Sequence, residues 1–150
     1  MTLKTDYFYS TMTKDLFELV VGDKIGEGIG RQVFEYLPDP ELVIKFEDKG
    51  GSFQNVIEWN IWQRVQWVKG VHIWFAPCER ISPCGTILLQ KKTFTGDKKK
   101  YPLKLPAYLT DTQYSNYGFM KGNRFVCHDY GSNLMVENGM TSRMRKVKWV

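Results

Sequence analysis

The sequence predicts an α+β domain: an antiparallel sheet with one packed helix, followed by a small region that contains a β-hairpin. Three observations carry that expectation. LFELVVGDKIGEGIGRQVFEY (Leu16–Tyr36) places β-formers on either side of a glycine-rich turn, the pattern of two paired strands. ELVIKFE (Glu41–Glu47) is a further strand, and the segment after it has apolar residues at helical spacing. Near the end, YGFM and RFVCH flank the turn Lys121–Asn123, where glycine supplies positive φ.

The elements follow in order. Residues 1–15 are polar and threonine-rich, an arm or first edge element. Leu16–Val21 and Val33–Tyr36 are the strands of the first hairpin, and Gly26, Gly28 and Gly30 form its turn. Glycines there let backbone N–H groups approach a phosphate with no Cβ in the way. In the third strand Lys45 is a single lysine among apolar neighbours, so it either snorkels to solvent or meets a carboxylate. The helix is expected from an N-cap at Ser52 to a stop at Gly70, with Phe53, Ile57, Ile61, Val65 and Val68 as its apolar stripe. Glu58 lies at the flank of that stripe, where it can turn towards the sheet. Two more strands, Ala76–Ile81 and Thr86–Lys92, are joined by the turn Ser82–Gly85.

Composition narrows the class. With 150 residues, 43% hydrophobic and 15% aromatic, the chain is one folded domain with a real core. A net charge of +5 favours anionic partners such as nucleotides or an acidic protein face. Nucleic acid is not the favoured ligand, because the basic runs lack aromatic interleaving. Cys78, Cys84 and Cys127 form no C-x-x-C pair, and His72 and His128 have no cysteine pair nearby, so neither a disulfide framework nor a zinc site is expected. No apolar signal segment or membrane span is legible, which predicts a cytoplasmic protein without a membrane partner.

The most informative stretch is DTQYSNYGFMKGNRFVCHDYG (Asp111–Gly131). Asn116 follows Asp111 by five positions and Asp129 follows Asn116 by thirteen, and the hairpin between them brings Asn116 beside Asp129. Two oxygen-bearing side chains with a nearby carboxylate suit Mg²⁺. Bland readings stand beside these: Lys45–Glu58 as an ordinary strand–helix ion pair, Asp111 as a cap, Asn116 as a turn residue, and Asp129 as the start of a D-Y-G turn.

These residues resemble motifs of the protein kinases. GEGIGRQV (Gly26–Val33) is similar to the G-x-G-x-x-G-x-V loop, LVIK (Leu42–Lys45) to V-A-I-K, Asp111 with Asn116 to the D-x-x-x-x-N catalytic loop, and Asp129-Tyr130-Gly131 to the metal-binding D-F-G. The resemblance implies an ATP site covered by Gly26, Gly28 and Gly30. In it Lys45 contacts phosphates and pairs with Glu58, Asp111 is the catalytic base, Asn116 and Asp129 hold Mg²⁺, and Gln90, Lys91 and Lys92 form the hinge beside adenine. It also implies a division into an arm (1–15), a part resembling a kinase N-lobe (16–92), a much reduced C-lobe (93–131) and a basic tail (132–150). Only 19 residues follow Gly131, too few for a large helical lobe. Arg31 departs from the pattern, standing where the third glycine is expected.

Two function classes follow. One is a kinase-like phosphotransferase acting on a small or partner-presented acceptor. The other is a non-catalytic interaction protein, resembling phage products that inhibit a host enzyme or defence complex. For that class Trp59, Trp67 and Trp74 are the candidate anchors. The tail residues Arg143, Arg145, Lys146 and Lys148 are a strand with a cationic face or an arm reaching an acidic partner.

Overall fold

The computed structural model describes residues 13–28, 30–47, 53–131 and 139–150. The fold is α+β, and among the described residues it has one five-stranded antiparallel sheet, two short two-stranded ladders and two α-helices. The chain opens with helix α1 (residues 13–20) and passes into β1 (Val21–Gly28), β2 (Arg31–Tyr36) and β3 (Leu42–Glu47). Helix α2 (Gln54–Val65) then crosses to β4 (Cys78–Ile81) and β5 (Ile87–Lys91), and the spatial order is β1-β2-β3-β5-β4. β3 is central, bonded to β2 and β5, and its residues are buried except for a half-buried Phe46.

The first strand differs from the sequence expectation. Residues 16–20 are helical, and the strand begins at Val21. Lys14, Leu16, Glu18 and Leu19 are good helix formers, and Phe17 gives this short helix a tertiary anchor. Its ring meets Phe46 at 5.3 Å and Phe34 at 6.1 Å between centroids. Gly26 and Gly28 accordingly lie within β1, and Gly30 takes the turn at φ 72°.

Ser52, the expected cap of α2, lies outside the described residues. The Glu47 carboxylate at the end of β3 accepts the N–H groups of Gln54 at 2.7 Å and Asn55 at 2.9 Å. It satisfies two otherwise orphan donors and places negative charge at the helix start. The cap position itself is Phe53, left-handed at φ 57° and 69% exposed, so Phe53 is not part of the buried stripe. The buried face is Asn55, Glu58, Ile61 and Val65. Polar groups rotate the helix, because Asn55 and Glu58 find charged partners on the sheet. The helix ends at Val65, before the expected Gly70, and Gly70 takes positive φ in the following turn. At the β4–β5 turn Gly85 has φ 76°, and a Cβ there would lie 2.5 Å from the Val56 side chain. That turn therefore needs both the backbone freedom and the missing side chain.

The remainder is joined to the sheet through strand-like contacts. β7 (Tyr117–Met120) and β8 (Arg124–Cys127) form the expected hairpin, with Asn123 at φ 63° and Gly122 at φ 92° in its turn. Phe94 bridges to Phe119, and the Ala76 N–H donates to Cys127 O at 2.8 Å. The described part of the tail, residues 139–150, contains the final strand rather than a free arm. β9 (Met144–Lys146) pairs with β6 (Lys104–Pro106), and Arg145 donates to the Leu109 carbonyl. The core runs from Ile61, Val65 and Leu88 through Phe75 and Tyr130 to Leu105, Tyr108 and Leu109. Of the three candidate anchors, Trp59 and Trp74 are half-buried against this core, the packing alternative, and Trp67 is 84% exposed. No described helix is long and apolar enough to cross a membrane.

Candidate functional site

Lys45 points from β3 towards α2, where Glu58 is fully buried, and the two ions meet at 3.0 Å. The Lys45 ammonium also donates to the His128 carbonyl at 2.5 Å, which ties the sheet to the segment after β8. A second cation joins from β2. The Arg31 guanidinium, 5% exposed, donates through Nη2 to Glu58 Oε1 at 2.7 Å and to Asp129 Oδ1 at 2.6 Å, and through Nη1 to Asn55 Oδ1 at 3.2 Å. Glu58 further accepts the Tyr130 N–H at 3.1 Å. One buried carboxylate therefore serves two cations and a backbone amide. Burial pushes the Glu58 carboxyl up, but Lys45 and then Arg31 pull it down further, to about 2. Asp129 goes the other way: burial, with Glu58 beside it, raises its carboxyl above the ordinary range.

Tyr130 explains why tyrosine stands between Asp129 and Gly131. Its ring is fully buried against Phe75 at 5.0 Å, and its hydroxyl donates to the Ala76 carbonyl at 2.9 Å and lies 3.0 Å from Cys78 Sγ. The hydroxyl has the partner that a buried tyrosine requires.

These groups stand at a cavity of about 690 Å³. Gly26, Glu27, Gly28 and Arg31 line it from the β1–β2 hairpin, Lys45 from β3, Gln90 and Lys91 from β5, and His128 and Asp129 from the segment after β8. Five cations line it (Arg31, Lys45, Lys91, Lys92 and Lys98); Arg31 and Lys45 are ion-paired with Glu58, Arg31 also with Asp129, Lys91 with Glu41 and Glu79, and Lys92 with Glu35. At the β5 end Gln90 is fully buried, and among the described residues its Oε1 is the buried side-chain oxygen or nitrogen without a hydrogen-bond partner. A ligand N–H at that point would complete it.

Of the expected residues, Lys45, Asp129, Gly26, Gly28, Gln90, Lys91 and Lys92 line this cavity; Glu58 is fully buried outside the lining and reaches it only through Lys45 and Arg31, and Gly30 sits in the turn, also outside the lining. Asp111 is outside the lining as well. Its carboxylate accepts the Gln113 N–H at 3.2 Å and its carbonyl accepts the Tyr117 hydroxyl at 2.7 Å, so it holds the turn before β7. Asn116 does come beside Asp129, but through the backbone. Its carbonyl accepts the N–H groups of His128 at 2.9 Å and Asp129 at 3.2 Å, and Asn116 is not among the lining residues.

Of the two expected Mg²⁺ ligands, Asp129 already faces a guanidinium at 2.6 Å and Asn116 lies outside the cavity lining, which does not fit a metal held by that pair. In the tail, Arg145 is half-buried within β9, while Arg143, Lys146 and Lys148 are exposed.

Sequence reasoning noticed Arg31 only as a departure and missed it as the hub of the cluster. The one available signal was a charged residue among β-formers. It also missed Thr93 and His128, for which no local pattern exists. His128 Nε2 donates to the Ser115 carbonyl at 2.8 Å, so Nδ1 is the acceptor for the Thr93 hydroxyl at 2.7 Å. Burial first, and then Lys45, depress this ring from 6.5 to about 4. The folded ring stays neutral where the unfolded one is charged, so stability is expected to fall as pH drops from 6.5 towards 4. For a half-buried ring the loss is on the order of 1–2 kcal/mol, read as a lower urea midpoint near about pH 5 than at neutrality. His128→Gln should abolish that limb; an unchanged limb would assign it elsewhere.

No protein-family model matches the sequence, and the search of curated proteins returned no match.

Proposed function

We propose that the chain binds a nucleoside triphosphate in the cavity beneath the β1–β2 hairpin, on a reduced scaffold resembling the N-lobe of protein kinases. The observation that carries this reading is the convergence of Lys45, itself held by buried Glu58, and Asp129, remote in sequence, on one cavity lined by Gly26 and Gly28. The lysine and arginine side chains of the lining suit the phosphates, and the unpaired Gln90 Oε1 at the β5 end suits an exocyclic amine of a base such as adenine. Binding, rather than phosphoryl transfer, is the activity proposed. Asp111, the expected base, lies outside the cavity lining, its carboxylate accepting the Gln113 N–H.

The test is thermal unfolding with and without ATP. At 100 times its dissociation constant, ATP is expected to stabilise the protein by about 2.7 kcal/mol, a melting shift of roughly 5–10 °C. Gln90→Met removes the unpaired acceptor at similar volume. It should raise the stability of the free protein by about 1 kcal/mol while reducing the ATP shift. Absence of any shift in the wild type would overturn the nucleotide reading. It would leave the second one, a protein that binds a macromolecular partner, which the 84% exposure of Trp67 favours.

A further inference from the structure

We infer that this cavity takes its phosphate-bearing ligand without a divalent metal, with the Arg31 guanidinium as the built-in cation that a metal would otherwise supply beside Asp129. The inference rests on the nucleotide reading above and specifies how the ligand's charge is met.

Three observations support it. First, the Asp129 carboxylate, the acidic group a metal would need, is engaged by Arg31 at 2.6 Å. A metal ion arriving there meets a fixed positive charge that cannot leave without uncovering Glu58, which the same nitrogen holds at 2.7 Å. Second, Asn116 reaches Asp129 with its backbone carbonyl, and that carbonyl is occupied by two N–H donors. Third, the guanidinium is buried and anchored by three hydrogen bonds to Asn55, Glu58 and Asp129, so its position is fixed before any ligand arrives. A guanidinium stays charged at all working pH values, and its planar fork suits phosphate oxygens. Arg31 lines the cavity alongside Lys45, so both fixed cations face the same ligand. The departure from the glycine pattern at Arg31 and the misfit of Mg²⁺ are then one fact seen from two sides.

The deciding experiment is ATP binding by calorimetry, once in EDTA and once in excess Mg²⁺. The expected result is equal or tighter binding in EDTA. Binding that is tighter with Mg²⁺ by more than about threefold overturns the inference and leaves the nucleotide reading intact. No binding in either condition overturns the nucleotide reading and this inference with it. Arg31→Gln, checked for folding by circular dichroism, should weaken metal-free binding by about tenfold or more and make the remainder respond to Mg²⁺, because Asp129 is released. Arg31→Lys, which keeps the charge but not the fork and serves if the glutamine variant does not fold, should keep part of the metal-free affinity. Wild-type metal-free affinity in Arg31→Gln, or its loss in a folded Arg31→Lys, would show that the guanidinium charge is not what the phosphates meet.

Discussion

Glu58→Ala is expected to lower the melting temperature by roughly 10–15 °C, corresponding to about 3–5 kcal/mol. The size follows from what the substitution leaves behind. Glu58 is fully buried and is the shared partner of Lys45 at 3.0 Å and Arg31 at 2.7 Å, both nearly buried themselves. Without it, two desolvated cations face each other with Asp129, the Asn55 amide oxygen and the His128 carbonyl to meet them, and the Tyr130 N–H loses its acceptor. Removing one side of such a cluster costs far more than the cluster contributes relative to an apolar replacement, because the penalty is that of an uncompensated buried charge.

The same residue sets an acid limb. A carboxyl held near 2 in the folded state, against 4.5 for a free glutamate, contributes stability that is complete above about 4.5 and is lost as pH falls from there towards 2. The gap in urea midpoint between wild type and Glu58→Ala should therefore narrow as pH drops below 4.5. A gap that stayed constant down to the acid end would mean that the charge of Glu58 is not what holds α2 to β3.

Trp149→Ala should destabilise by about 2–4 kcal/mol, the range for deleting a large aromatic from a half-buried site. Its indole stands at the centre of the second aromatic cluster, 4.9 Å from Tyr117, 5.1 Å from Tyr101, 5.5 Å from Tyr114 and 5.8 Å from Phe125 between ring centroids. Its Nε1–H donates to the Pro102 carbonyl at 3.0 Å. The substitution loses packing, ring contacts and a hydrogen bond at once. It also loosens β9 from β6, since Trp149 lies just beyond that short ladder. Equilibrium urea unfolding gives the number. A cost below about 0.5 kcal/mol, typical of surface positions, would restore the reading of the tail as an arm free to reach a partner.

The sequence was informative where chemistry is local. The KGN turn at Lys121–Asn123, the β4–β5 turn ending at Gly85 and the alternation of strand and helix through β3 and α2 follow from turn chemistry and periodicity over a few residues. It misled where a local signal was ambiguous. Leu16–Val20 suits strand and helix alike, and the choice of helix α1 comes with the docking of Phe17 on Phe34 and Phe46. The buried face of α2 was misjudged for a related reason. Phe53 and Ile57 made the more apolar stripe, yet Asn55 and Glu58 are the residues turned inward.

By itself, then, the sequence determined the order of the elements from β2 to β5, the hairpin that sets Asn116 beside Asp129, and the presence of a lysine on β3 with a glutamate on the following helix. Only the tertiary structure decided that Arg31 joins them, that Asp111 closes a turn away from the cavity, and that Trp59, Trp74 and Trp149 are packing residues. Turns and periods are fixed by neighbours along the chain. A buried carboxylate, by contrast, is fixed by whichever cations the fold can desolvate beside it, and Arg31, Lys45 and Asp129 reach Glu58 from three separate segments whose meeting no local pattern encodes.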